Sequence, residues 1–169
     1  MAAKDFAASA DLRPSAVAHY NAAVCLARLA RLPEADAAAE HAMALDAKAA
    51  LVPLLRAQLA IAASQPAVAE RHFAKALELG APEAPLRGLR GWSRLGSGRA
   101  AEALADFEAA DAAPGAPALV AFGRGLALVE TGALEAAYAA FETAAARDGT
   151  LTAAAKNRDA LGVLFPKSR

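Results

Sequence analysis

The sequence predicts an all-α chain built from stacked pairs of helices, and three observations carry that prediction. Small residues recur at a fixed interval: Ala42, Ala76, Ala110 and Ala144 stand 34 residues apart. No stretch shows the apolar/polar alternation of a half-buried strand. All nine prolines fall at or near the ends of helical stretches, where a missing N–H is tolerated. Composition agrees, since 57% of residues are hydrophobic but only 5% aromatic, and the excess is alanine, the strongest helix former.

In chain order, residues 1–13 form a short, partly ordered leader whose Phe6 and Leu12 could pack on the first helix pair. Pro14 and Ser15 open the first helix, proline fitting a helix start and serine capping one. That helix runs to about Leu29, and Pro33 starts its partner, which ends near Asp46. A second pair spans roughly Ala50 to Leu79, with Ser64 as cap and Pro66 in the first turn of its second helix. Pro82 and Pro85 precede a third pair, and Pro114 and Pro117 a fourth. The pairs thus fall at about 16–49, 50–83, 84–117 and 118–151. A final helix over 152–165, capped by Thr150 or Thr152 and stopped by Pro166, is polar at Lys156, Asn157, Arg158 and Asp159, as the last helix of a stack must be to close its core in water. Residues 166–169 are a tail.

Other positions keep the same phase. Ala23, Ala57, Gly91 and Gly125 are small, as are Ala30, Ser64, Gly98 and Gly132; Ala35, Ala69, Ala103 and Ala137 are each followed four residues later by Ala39, Phe73, Phe107 or Phe141. The first set lets two helix backbones approach closely, and the phenylalanines fill the space between neighbouring pairs. This order of small and aromatic positions at this period resembles the tetratricopeptide repeat (TPR) family over residues 16–151. Departures are Ala39 in the phenylalanine position and the absence of the family's tryptophan at the start of each first helix. The resemblance implies a right-handed α-solenoid of helix-turn-helix repeats with four repeats and a capping helix. It also implies a protein-binding module with the first helices on the concave face.

Charge is divided between the two helix sets. First helices hold Arg28, Arg56, Arg87, Arg90, Arg94 and Arg124 against Glu130, while the second helices are mostly acidic. In the family's frame this gives a basic inner face, or else opposite charges that pair between adjacent helices. Arg56, Arg90, Arg124 and Arg158 share the 34-residue phase, and they are either a ladder for partner carboxylates or internally paired side chains. The family's ligand-facing positions include Tyr20, Val24 and Arg28 on the first repeat and Leu54 and Gln58 on the second. Gly88, Trp92 and Leu95 come on the third, and Phe122 and Leu126 on the fourth. Most are apolar, and an exposed apolar groove marks an interaction site. Gly88 beside Trp92 predicts a notch for an anchor side chain.

The expected function is a non-enzymatic interaction module that takes an apolar, partly acidic peptide or helix in its groove, as an adaptor or a chaperone-like protein. Two alternatives stay open. One is a self-associating scaffold, monomer or homodimer; the other resembles the small chaperones of type III secretion. The lysines and asparagines with which chaperone cofactors of the family clamp a terminal carboxylate are replaced here by Tyr20, Val24, Leu55, Pro85 and Leu89. A net charge of zero, from 18 basic and 18 acidic residues, removes the basic footprint of a nucleic-acid binder. Charge interrupts every apolar stretch before the length of a membrane span. Met1 to Phe6 does not read as a secretory signal, and the lone Cys25 fits a reducing compartment, so a cytoplasmic location is expected unless a signal peptide has been removed. No cofactor or metal is implied, because His19, His41 and His72 lie on different helices and no nucleophile with its base can be assembled.

Overall fold

The computed structural model describes residues 15–165, so the leader with Phe6 and Leu12, Pro14, and the tail from Pro166 lie outside the described residues. Among the described residues there are nine helices: α1 (Ala16–Arg28), α2 (Leu32–Leu45), α3 (Leu51–Ala62), α4 (Pro66–Glu78), α5 (Glu83–Gly96), α6 (Ala100–Asp111), α7 (Ala118–Glu130), α8 (Leu134–Arg147) and α9 (Thr152–Gly162). The chain divides into two compact units, one ending at Pro82 and the other beginning at Glu83. The first holds the hairpins α1/α2 and α3/α4. The second holds α5/α6, α7/α8 and α9.

Each hairpin turns in the same way. Ala30, Ser64, Gly98 and Gly132 come after the first helices, and all four take a left-handed backbone, with φ of 57°, 57°, 73° and 82°. The next N–H then reaches back to the helix: Arg31 to the Leu26 carbonyl at 3.0 Å, Gln65 to Ala60 at 2.8 Å, Arg99 to Arg94 at 2.9 Å and Ala133 to Leu128 at 2.9 Å. This is the Schellman closure, which satisfies carbonyls that the helix end leaves open. The second small position of the repeat is therefore a φ requirement. Ser64 consequently does not cap α4 as expected; the cap position is Gln65, whose side chain makes no capping bond. Ser15 does cap α1, its Oγ accepting from the Ala18 N–H at 3.1 Å.

Prolines sit where helices begin. Pro33 and Pro66 lie at the starts of α2 and α4, Pro53 and Pro85 are the third residues of α3 and α5, and Pro117 is the N-cap of α7. Neither Thr150 nor Thr152 caps α9. The N-cap is Leu151, and the Thr150 hydroxyl donates instead to Asp148 at 2.6 Å. The helix stops at Gly162, three residues short of Phe165, and the chain goes on in tighter turns, the Leu164 N–H donating to the Leu161 carbonyl at 2.8 Å and the Phe165 N–H to that of Gly162 at 3.3 Å.

The first unit packs on alanines. Ala23, Ala35, Ala39 and Ala42 are buried with Leu26, Val52, Leu55 and Leu59, and Tyr20, Val24, Cys25 and Met43 close over them. With Ala39 in place of a phenylalanine, these aliphatic side chains fill the first hairpin. In the second unit the aromatic rings do so. Phe107 and Phe141 are fully buried, and a Cβ on Gly91 would stand 2.9 Å from the Phe107 ring, on Gly123 2.5 Å from the same ring, and on Gly125 2.5 Å from Phe141. Phe107 thus fills the space between one hairpin and the next, as the repeat pattern predicts. α9 closes this unit by burying Ala154 with Ala121 and Ala144.

Candidate functional site

In the second unit the start of α5, the α6–α7 loop and the start of α7 enclose an open hollow of about 550 Å³. Its lining is almost wholly apolar: Ala84, Pro85, Gly88, Leu89 and Trp92 on one side, and Pro114, Pro117, Leu119 and Val120 on the other. Gly88 is buried on the floor, where a Cβ would meet Val120 Cγ2 at 3.4 Å. The Trp92 ring does not fold into the hollow to fill it. It packs edge to face on Phe107 at 5.3 Å and tilts against Phe122 at 6.2 Å. Leu119 stands on the rim, 54% exposed.

The same feature recurs in the first unit at the same phase of the repeat. Val17, Tyr20, Asn21, Leu51 and Val52 line a hollow of about 490 Å³, with Val17 69% and Leu51 53% exposed. Tyr20 occupies there the position that Gly88 leaves empty. Of the remaining expected contact residues, Leu95 packs on the Phe107 cluster, and Phe122 and Leu126 pack on the Phe141 cluster, all three half-buried. Leu54 is half-buried and Gln58 exposed in the first unit. The hollow thus gathers Gly88 and Trp92, with Phe122 behind the indole. Val24 and Leu54 do not line either hollow.

The arginines turn inward to the chain's own carboxylates. Arg56 makes a forked pair with Asp36, Nε and Nη2 at 2.7 and 2.9 Å. Arg90 forks onto Asp106 at 2.9 and 2.6 Å. Arg124 Nη1 lies 2.6 Å from Asp111, which also receives Arg147, and Arg158 pairs with Asp159. The expected ladder for partner carboxylates is therefore a set of internal ion pairs, the second of the two alternatives. Arg56 and Arg124 both reach back to the preceding second helix, to Asp36 in the first turns of α2 and to Asp111 at the last position of α6, whereas Arg90 reaches Asp106 on its own hairpin. Of the named arginines, Arg28 is exposed with no ion pair among the described residues.

Asp106 is a buried ion-pair centre that lines neither hollow and that sequence reasoning missed. It is 1% exposed and receives Arg90 and Arg94 directly, with Arg87 at 3.6 Å. The signal is present in the sequence as arginines at 87, 90 and 94, one face of one helix, opposite a carboxylate where neighbouring repeats place His72 or Ala140. His19 and His41, which the sequence keeps on separate helices, meet edge to face at 5.4 Å. Among the described residues no three histidine, cysteine or carboxylate side chains cluster as metal ligands, and no helix is long and apolar enough to cross a membrane.

The chain matches no family model and no curated protein sequence. Solved structures do match. A tetratricopeptide repeat protein from Parabacteroides merdae ATCC 43184 superposes with a TM-score of 0.74 at 18% identity, over 95% of this chain and 63% of that one. This chain has the TPR fold. YrrB, a TPR protein with an unusual peptide-binding site, matches at 0.76 and 21% identity, over 96% of this chain and 84% of its own. PilW, a type IV pilus biogenesis factor, matches at 0.79 and 24%, over 88% and 69%. In the TPR frame the two hollows lie at the N-terminal ends of first helices, so the repeat itself generates them. The third repeat enlarges its copy by deleting a side chain at residue 88.

Proposed function

We propose that this chain is a non-catalytic protein-interaction module, adaptor-like in action, that takes an apolar segment of a partner in the hollow of the third repeat. The carrying observation is an apolar cavity with Gly88 on its floor, Trp92 in its wall and an exposed leucine on its rim. A few desolvated contacts dominate most interfaces, and an aliphatic or aromatic anchor seated beside an indole is such a contact. Because Arg56, Arg90 and Arg124 are engaged by acids of the chain, the acidic component expected of the partner has less to bind, and apolar anchoring carries the reading. The peptide-binding description of YrrB is consistent with it.

Trp92 is the only tryptophan, so its emission reports the site directly. Peptides selected against the whole protein from a display library should be rich in leucine and phenylalanine and should shift that emission. Gly88→Leu, which fills the hollow, should weaken them at least about tenfold with helix content unchanged. Selected peptides that bind the leucine variant equally and leave the emission unmoved would put the binding site elsewhere. Val163 and Leu164, exposed beyond α9 at 81% and 57%, favour a second reading in which another copy of this chain is the ligand. A monomer by sedimentation at several hundred micromolar would remove that reading.

A further inference from the structure

A second kind of cavity, sharing no residue with the apolar hollows, lies within the first unit. It holds about 280 Å³ between α2, α3 and α4. Leu59, Ala60 and Val68 give it apolar walls, while Asp36, Arg56 and His72 give it a polar end. The repeat supplies its own comparison. Sixty-eight residues on, at the same phase in the second unit, Arg124 matches Arg56, but Leu104 stands for Asp36, Leu128 for Ala60 and Ala140 for His72. There Leu104, Leu128 and Ala140 pack together against Phe141 as plain core. One place in the repeat is thus filled with leucine in one unit and opened and made polar in the other.

The donors decide what would enter. Asp36 has both oxygens committed to Nε and Nη2 of Arg56, which fixes the guanidinium and leaves Nη1 without a bond among the described residues. The cavity therefore offers an oriented cationic donor, an imidazole and the Gln65 amide next to an apolar wall large enough for a branched aliphatic group. We propose that this cavity binds a carboxylate carried on a short apolar group, with Arg56 and His72 on the carboxylate and Leu59 and Val68 around the aliphatic part. Free branched-chain acids and the C-terminal residue of a peptide share that chemistry. Burial holds His72 below the 6.5 of a free histidine, Arg56 on α3 and Arg71 on α4 adding to the effect and Asp36 on α2 opposing it. An incoming anion reverses the balance, so binding draws a proton onto His72 and tightens as pH falls.

The test monitors the His72 imidazole by NMR in the whole protein with 4-methylpentanoate as the probe. A saturable shift is expected, with the His72 midpoint moving up by at least about half a unit. A peptide ending in leucine tests the second source: a response to the free C-terminus that is lost on amidation assigns the site to peptide ends, and a response to the small acid alone assigns it to free acids. Ala60→Leu, which installs the side chain that residue 128 already carries, should abolish the response while the Arg56–Asp36 pair remains. Arg56→Gln should do the same where it folds. No saturable shift, an equal shift with 4-methylpentanol, or an Ala60→Leu variant that still responds would overturn the proposal.

Discussion

Asp106 is one carboxylate, almost fully buried, serving three arginines of α5. Removing its charge breaks the buried end of these pairs, so Asp106→Asn should cost about 3 kcal/mol in urea unfolding, the scale of a broken buried pair. The opposite sign is expected at the hairpin turns. Ala30 and Ser64 hold a left-handed backbone that costs an L-residue about 1 kcal/mol, and their counterparts are glycine. Ala30→Gly and Ser64→Gly should each raise the unfolding free energy by somewhat less than that. His72 adds a pH dependence. Its folded pKa lies below that of the unfolded chain, so its contribution is fully present above 6.5 and is lost as pH falls through the folded midpoint. Thermal melts from pH 8 to 5 should fall in the parent and fall less in His72→Gln. At this scale the sequence is partly legible. That Arg56, Arg90 and Arg124 are equivalent can be read from their phase; which acid each meets cannot, because Asp36, Asp106 and Asp111 keep no common phase and only packed helices bring them into reach.

Helices are legible almost to the residue, since proline and the repeat phase mark both ends of each hairpin. The departures come where a local signal misleads: Ser64 is a capping residue type placed at a position that demands positive φ, and the run toward Phe165 is helical in composition yet tightens into turns after Gly162. Helix α5 shows what composition alone cannot say about glycine. Glycine costs roughly 1 kcal/mol against alanine in a helix interior, but the three in α5 are not equivalent, Gly88 and Gly91 lying inside the helix and Gly96 at its last position. A Cβ at Gly91 would press on the Phe107 ring at 2.9 Å, whereas one at Gly96 meets nothing within 4 Å. Gly96→Ala should therefore stabilise by about 0.5 kcal/mol and Gly91→Ala destabilise by about 1–3 kcal/mol, read from paired chemical melts. The candidate hollow is half legible in the same way. Gly88 beside Trp92 can be read from the repeat frame, but the contribution of the Pro114–Pro117 loop depends on how that loop returns to α7.

Across the whole molecule the two units are held by different means. The second carries a run of ring contacts, Trp92 on Phe107, Trp92 on Phe122 and Phe122 on Phe141, each worth about 0.5–1.5 kcal/mol beyond simple burial. The first relies on alanine and aliphatic packing around Ala39, with Phe73 its one fully buried ring among the described residues. Hydrogen exchange on the intact chain should accordingly show α7 and α8 outlasting α1 and α2. Peptide affinity at the apolar hollow should change by less than about twofold between low and high salt, because no charged side chain lines it for screening to weaken. The glycine facing Phe107 from α7 has a consequence for how such a chain can be rearranged. At the repeat phase of Gly123 the other hairpins carry Asn21, Leu55 and Leu89, so any of them transplanted into fourth place would drive a side chain into the Phe107 ring. The hairpins look like interchangeable copies, yet their succession is encoded in one missing methyl group, and shuffled versions of this chain should fail to close at that joint.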